Sequence, residues 1–199
     1  SPSLRVLRLP LIGSLLYRAT GNRQVFPATV CYGDILNGLP EDDGSCDAIY
    51  ASHVLEHLPR ADCVIALKNT YSLLKPGGMF RVIVPDLEAR ARRYITDLES
   101  ELKDANDRFL RACYLGAESK PNSVMGRLRK LYGASDHLWM YDYPSMSEML
   151  KAVGFVEIRR CKFGDSADAM FKAVEDPDRF YEKALNAPEV AFEARRPVT

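Results

Sequence analysis

The sequence of 199 residues lacks several features that would assign it to a functional class at once. Basic residues are not in surplus, because Lys plus Arg and Asp plus Glu each number 27; this argues against a general nucleic-acid-binding protein. No apolar run is long enough to span a bilayer, and the five cysteines include no C-x-x-C pair. We therefore predict a cytoplasmic protein with reduced thiols, no membrane span and no zinc or disulfide framework.

The order of predicted elements is typical of an open α/β sheet with helices on both faces. "ATVCYGDI", "CDAIYAS" and "MFRVIVPD" are predicted strands, and the second is apolar enough to be buried on both faces. A helix that begins near Pro59 carries an apolar stripe of Val64, Leu67, Tyr71 and Leu74, and we expect "KPGG" to terminate it.

The second half of the chain continues this order. We predict helix over most of 87–116, and a helix in "PSMSEMLKAVGF" with Ser145 or Ser147 as its cap and Gly154 as its end. "FVEIRRCKF" and "EVAFEARRP" are predicted to form an antiparallel edge on a mostly parallel sheet. We predict one domain over 1–199, with an irregular part at 1–27 and a connector or lid at 116–143.

Polar residues follow the predicted strand "CDAIYAS" directly. Ser52, His53, Glu56 and His57 include two of the three histidines of the chain. In open α/β sheets, ligands bind outside the carboxyl ends of the strands. The sequence therefore predicts a ligand site at the tip of this strand.

Four motifs in order carry a resemblance to a known family. "SHVLEHL", "LKPGG", "VPDLE" and "DHLWMYDYPSMSEMLKAVGF" resemble class I S-adenosylmethionine-dependent methyltransferases, in particular the small-molecule and glycan-cluster branch. The resemblance implies a Rossmann-like fold and S-adenosylmethionine as cofactor. It also implies that Asp34 accepts from the adenine amino group, that Ile35 packs on the adenine, and that Ser52 and His53 lie beside the cofactor.

One element of that family is missing from the sequence, namely the glycine-rich loop after the first strand. Glycines there let backbone amides approach the cofactor closely. Two explanations stay open: the first strands precede Ser1, or the chain is a non-catalytic relative that serves as a binding or regulatory module. A nicotinamide-dependent enzyme on a similar sheet is disfavoured, because no G-x-G-x-x-G follows a strand.

Methyl transfer needs an acceptor placed near the methyl group, and often a base that takes the acceptor's proton. Histidine is the side chain most often neutral and basic near pH 7, so His57 is the predicted base and His137 the alternative. Each could instead pack in the structure without a catalytic role. Because His53 and His57 straddle a strand end rather than share one helix, we predict no metal site.

Three further residues are predicted to contact the acceptor. Asp86 could orient a substrate hydroxyl, although it is also suited to cap the helix that begins at Leu87. Trp139 and Tyr141 could form an aromatic wall for a sugar or ring, or anchor the core. The predicted function is O-methylation of a small molecule or glycan precursor, without nucleic acid as partner and with a homodimer left open.

Overall fold

The computed structural model describes Cys31, 33–115 and 137–198. The predicted irregular part at 1–27 and most of the predicted connector at 116–143 lie outside these residues. The chain divides into two compact units, Ser1–Pro40 with Ala117–Ala134 and Glu41–Gly116 with Ser135–Thr199. The prediction of one domain stays a prediction.

Of the first unit, the structure describes Cys31 and 33–40. These residues form a turn with an isolated bridge between Asp34 and Gly38, so the described part of "ATVCYGDI" is not the predicted strand. The turn forms because the short carboxylate of Asp34 accepts from the backbone N–H of Leu36, two residues later, as Asp commonly does in turns.

The second unit contains the named helices and strands of the described residues. In chain order they are β1 (Cys46–Ser52), a 3-10 turn (Leu55–His57), α1 (Arg60–Leu73), β2 (Leu74–Val84), α2 (Leu87–Glu99), α3 (Ala105–Ala112), α4 (Tyr143–Val153), β3 (Val156–Cys161), α5 (Ala169–Val174), a 3-10 turn (Pro177–Phe180), β4 (Tyr181–Glu182), β5 (Ala187–Pro188) and β6 (Val190–Arg195). The single helical stretch predicted over 87–116 is therefore two helices, α2 and α3.

The main sheet of the second unit has the strand order β1-β2-β6-β3. β1 pairs with β2 in parallel, and β6 runs antiparallel to both β2 and β3, so three of these four strands share one direction. This agrees with the predicted mostly parallel sheet that ends in an antiparallel pair. β3 lies at the edge and β6 lies inside the sheet.

Burial places the core around β2 and β6. The last seven residues of β2 are buried, as are the first five of β6. β1 is half-buried rather than buried on both faces as predicted, since in the described sheet it pairs with β2 alone. The buried face of α1 is formed by Cys63, Ala66, Leu67, Thr70 and Leu73, so the predicted stripe through Val64 and Tyr71 is rotated from the true one.

The "KPGG" segment differs from its prediction. α1 ends at Leu73, before this segment, and the segment itself belongs to β2. Gly77 has a φ of 78° and its N–H donates to the carbonyl of Arg196 (2.9 Å). A Cβ atom at Gly78 would lie 2.8 Å from the Lys75 carbonyl oxygen. Glycine at this position therefore lets the backbone of residue 78 lie close to that carbonyl.

The guanidinium of Arg196 closes the end of α1. Its Nη1 donates to the carbonyls of Tyr71 (3.1 Å), Ser72 (3.1 Å) and Leu74 (2.6 Å). The last carbonyls of a helix have no partner within the helix, so groups from elsewhere must satisfy them. Here a residue 122 positions after Leu74 supplies those donors.

The start of α4 depends on a side chain other than the predicted caps. Asp142 is the N-cap: its carboxylate accepts from the Ser145 backbone N–H (2.9 Å), and Ser145 Oγ accepts from the Asp142 backbone N–H (3.2 Å). The prediction of Ser145 or Ser147 as the cap is wrong, and Ser147 is buried. Gly154, with a φ of 113°, ends the helix as predicted.

Replacing Asp142 by alanine is expected to lower the free energy of unfolding by about 1 kcal/mol, because the Ser145 N–H loses the carboxylate that accepts from it. Urea denaturation at pH 7 measures this. The Ser145 hydroxyl and backbone N–H hold the pKa of Asp142 below its ordinary value, so the stabilisation is present above about pH 4 and lost as pH falls further. Glu148→Ala, an exposed carboxylate on the same helix, is the control; an equal loss in both variants contradicts the cap.

Candidate functional site

The site begins at the carboxyl end of β1. Ser52 is the last residue of the strand, and the His53 N–H donates to the Ile83 carbonyl of β2 (3.0 Å). His53 has a φ of 53°, in the left-handed region that is uncommon for residues other than glycine. The chain therefore turns sharply at His53 and enters the 3-10 turn that carries Glu56 and His57.

Glu56 is the most enclosed residue of this turn. Its exposed fraction is 0%, and neither of its carboxylate oxygens has a hydrogen-bond partner among the described residues. Two imidazoles approach its Oε1 at ion-pair distance, with His53 Nδ1 at 3.3 Å and His57 Nε2 at 3.6 Å. Glu56 directly precedes His57, and adjacent residues of an α-helix point apart. The 3-10 turn nevertheless brings the Glu56 carboxylate and the His57 ring together.

The backbone of Glu56 brings in a distant segment. Its carbonyl accepts from Leu138 N (2.8 Å) and Trp139 N (3.2 Å). His137 consequently lies beside His57, with 5.3 Å between ring centroids, and beside Tyr114 at 4.7 Å. All three histidines of the chain thus lie around one buried carboxylate.

The ring nitrogens of these histidines differ in their partners. His53 Nε2 lies 3.0 Å from the Arg179 carbonyl, which only accepts, so this nitrogen carries a hydrogen. Burial lowers the pKa of His53, but the Glu56 carboxylate and the Arg179 carbonyl outweigh burial and leave that pKa raised. Burial lowers the pKa of His137, whose ring therefore favours the neutral form.

A cavity of about 380 Å³ opens beside this cluster. Besides the three histidines and Glu56, its wall includes Tyr114 and the buried pair Arg90 and Glu189, which are joined by two contacts of 2.6 and 2.8 Å. The rest of the wall comes from Pro85, directly after β2, and from five residues in and around β4, namely Asp178, Arg179, Tyr181, Glu182 and Lys183. Charged groups of both signs line the cavity, which suits a polar ligand.

The residues predicted to contact the acceptor are not part of this wall. Asp86 is buried and caps α2, since its carboxylate accepts from Glu88 N (2.9 Å) and Ala89 N (3.2 Å). Tyr141 is 0% exposed, within the core. Trp139 is 45% exposed, with the Arg60 guanidinium 5.8 Å from its ring centroid. In this structure Asp86 therefore makes the contacts of a helix cap, the second of the two roles that the sequence suggested for it.

The residues predicted to bind the cofactor lie in both units. Ser52 has a buried hydroxyl without a hydrogen-bond partner among the described residues, at the strand end where ligands are expected. In the first unit, Asp34 accepts from Leu36 N (3.0 Å) and Asn37 Nδ2 (2.8 Å), and the Asn37 amide lowers the pKa of that carboxyl group. Ile35 follows it in the same turn and is half-buried.

Most of the chain matches the model of one known family. The model of a family described as a methyltransferase domain matches residues 20–159, more than half of the sequence. The chain belongs to this methyltransferase family. The predicted class of protein and the Rossmann-like fold are thereby confirmed. No curated protein matches the sequence.

Solved structures similar to this chain include methyltransferases. A SAM-dependent methyltransferase from Archaeoglobus fulgidus is 15% identical, with a TM-score of 0.43, 84% of this chain and 67% of that chain covered. The 1,6-didemethyltoxoflavin-N1-methyltransferase of Burkholderia thailandensis is 15% identical, with a TM-score of 0.42, 96% of this chain and 59% of that chain covered.

The chain spans 59% of the length of that Burkholderia enzyme, less than two thirds. Within the described residues, none of the helices has the length and apolar composition that a membrane crossing requires.

Proposed function

We propose that this chain transfers a methyl group from S-adenosylmethionine to an oxygen of a small molecule or glycan precursor. One observation carries the proposal: a cavity in a methyltransferase domain is bordered by three histidines around a buried carboxylate. Such a wall supplies a base for an acceptor hydroxyl, which an oxygen acceptor needs in order to become a nucleophile. The predicted homodimer and cytoplasmic location stay predictions.

S-adenosylmethionine supplies an activated methyl group on a sulfonium. The described residues fit this cofactor in two respects. The orphaned Ser52 hydroxyl can hydrogen-bond a ligand at the end of β1. Each carboxylate oxygen of Asp34 accepts one turn hydrogen bond and keeps a further lone pair, which an adenine amino group can use. Ile35 and His53 complete the proposed set of cofactor residues.

The proton acceptor in this proposal is His57. Its side chain is 31% exposed and lines the cavity, and Glu56 Oε1 lies 3.6 Å from its Nε2. In this proposal the buried carboxylate orients the ring, as a third group orients the base in other nucleophile–base arrangements. His137 is the alternative base, because it lines the same cavity. Of the aromatic residues proposed to contact the acceptor, Trp139 has the exposed surface for it.

Calorimetry with S-adenosylmethionine and S-adenosylhomocysteine on the full chain tests the proposal first. We expect binding with a micromolar Kd, as a methyl donor needs, and Asp34→Ala is expected to weaken it by about tenfold or more, through loss of a charge-assisted hydrogen bond. No binding to either compound would support the alternative, a non-catalytic binding or regulatory module.

Asn37→Ala is the matched control for Asp34. It removes the turn partner of the carboxylate and keeps the carboxylate itself. If Asn37→Ala weakens cofactor binding as much as Asp34→Ala, the turn rather than the carboxylate matters, and the assignment of Asp34 fails.

A further inference from the structure

We propose that Glu56, His57 and His137 bind a divalent transition-metal ion, with Zn²⁺ as the representative ion. These residues supply two imidazole nitrogens and one carboxylate oxygen beside the cavity. The inference concerns the same cavity as the proposed methyl transfer, but it does not depend on that reaction. It also replaces the sequence-based expectation of no metal site.

The distances among the three donors suit one ion. One ligand atom from each residue lies within 4.8 Å of the others. Two ligands of one tetrahedral Zn²⁺, each bound at about 2.0–2.2 Å, lie roughly 3.5 Å apart. Glu56 Oε1 and His57 Nε2 already lie 3.6 Å apart. A shift of roughly 1 Å, within the reach of side-chain rotation, therefore brings all three donors to one ion.

The burial of the Glu56 carboxylate also supports a bound cation, independently of the distances. Its carboxylate is fully buried, and neither oxygen has a hydrogen-bond partner among the described residues. Burying a carboxylate without such partners is costly unless an opposite charge compensates it. His53 (3.3 Å) and His57 (3.6 Å) both approach Oε1, so Oε2 has no partner among the described residues even when either ring is charged. A bound cation supplies a partner to this group.

Other side chains contact two of the three proposed ligands and can orient them. His137 Nδ1 lies 3.2 Å from Met140 Sδ, and a thioether can only accept, so the neutral ring carries its hydrogen on Nδ1 and its lone pair on Nε2. His53 Nδ1 lies 3.3 Å from Glu56 Oε1. Metal ligands are typically oriented by such outer partners.

The donor types select the class of ion. Two imidazoles favour Zn²⁺, Fe²⁺, Co²⁺ or Ni²⁺ over Mg²⁺ and Ca²⁺, which prefer oxygen ligands. The chain gives three ligands, and the site borders a cavity, so a further coordination position is open to water or to an oxygen of a substrate.

Calorimetry with ZnCl₂ on the untagged full chain, freed of metal with a chelator, tests the proposal. We expect one ion per chain with a micromolar or tighter Kd. Removing a ligand is expected to weaken binding by about tenfold or more, so Glu56→Gln and His137→Asn should both do so. Glu182→Gln removes another carboxylate of the same wall and should leave the affinity unchanged.

The five cysteines need their own control, because thiolates also bind zinc. The spectrum of the Co²⁺ form distinguishes the sites, since thiolate ligands add an intense near-ultraviolet band that imidazole and carboxylate ligands lack. If Glu56→Gln does not fold, as judged by circular dichroism, His57→Asn and His137→Asn carry the test.

Absence of binding, or binding that the ligand variants leave unchanged, overturns the metal site. So does a Co²⁺ spectrum with the thiolate band alone. These measurements use neither methyl donor nor acceptor, so they succeed or fail independently of the proposed methyl transfer. A chain that binds Zn²⁺ and not S-adenosylmethionine would keep the metal site and lose the proposed function.

Discussion

Replacing His57 by alanine is expected to lower kcat for methyl transfer by about 100- to 10,000-fold, the usual contribution of a general base. The reason is geometric: His57 lines the cavity, and the buried Glu56 lies 3.6 Å from its Nε2. Glu56 is expected to hold the ring in position. The Kd for S-adenosylmethionine should stay unchanged, because the ring acts on the acceptor.

Single-turnover rates and donor affinity, measured separately for each variant, check this expectation. Lys183→Gln is the control, since Lys183 lies in the same wall and its ammonium pairs with Asp178 (2.7 Å). Added imidazole should restore part of the rate in His57→Ala by occupying the vacated space. A rate unchanged in His57→Ala and lost in His137→Ala would transfer the role of base to His137.

The proposed metal site would affect the methyl-transfer rate in this experiment. A ring nitrogen that binds an ion cannot accept a proton, so saturating Zn²⁺ is expected to slow methyl transfer by the wild-type chain. A rate that rises with Zn²⁺ would instead indicate that the ion would bind the acceptor oxygen and lower the pKa of its hydroxyl, whose proton would pass to water, with His57 as a ligand. Turnover should therefore be measured both with and without a chelator.

Replacing Arg81 by alanine is expected to lower the free energy of unfolding by about 3–5 kcal/mol, because it leaves buried carboxylates without their cation. The Arg81 side chain is 0% exposed and donates to Glu193 (3.1 Å), to Asp165 (3.1 Å) and to Glu175. Glu193 is its cross-strand neighbour on β6, and Glu175 directly follows α5. The guanidinium therefore ties β2, β6 and the end of α5 together.

Urea denaturation followed by circular dichroism measures this loss. Arg92→Ala is the matched control: Arg92 pairs with Glu88 on the surface of α2 and is 77% exposed, so a loss below about 0.5 kcal/mol is expected. Equal losses in the two variants would show that Arg81 contributes no more than a surface ion pair.

Local signals in the sequence were sufficient for part of the fold. The start of α1 after Pro59 and the end of α4 at Gly154 follow from backbone chemistry within a few residues. The position of "KPGG" in β2 depends instead on a hydrogen bond from Gly77 to the distant Arg196 carbonyl, which sequence spacing does not reveal. The inner position of β6 is likewise a matter of non-local pairing.

The site shows the same division. The polar tip of β1 was predicted from the order of apolar and polar residues, and the structure places His53 and His57 at a cavity there. Glu56 was missed as a central group, because its importance comes from burial and from the backbone contacts that bring His137 to it. The only indication in the sequence was an acid placed next to His57 and three residues from His53.

The contact between Arg196 and the end of α1 has a consequence for the order of folding during synthesis. On the ribosome, α1 emerges long before the guanidinium that satisfies its last carbonyls, since 122 positions separate Arg196 from Leu74. Until then, water must solvate the final turn of that helix, and the neighbouring parallel pair of strands lacks its antiparallel partner β6. A nascent chain cut before Arg196 would hold every residue of α1 and still have a frayed helix end.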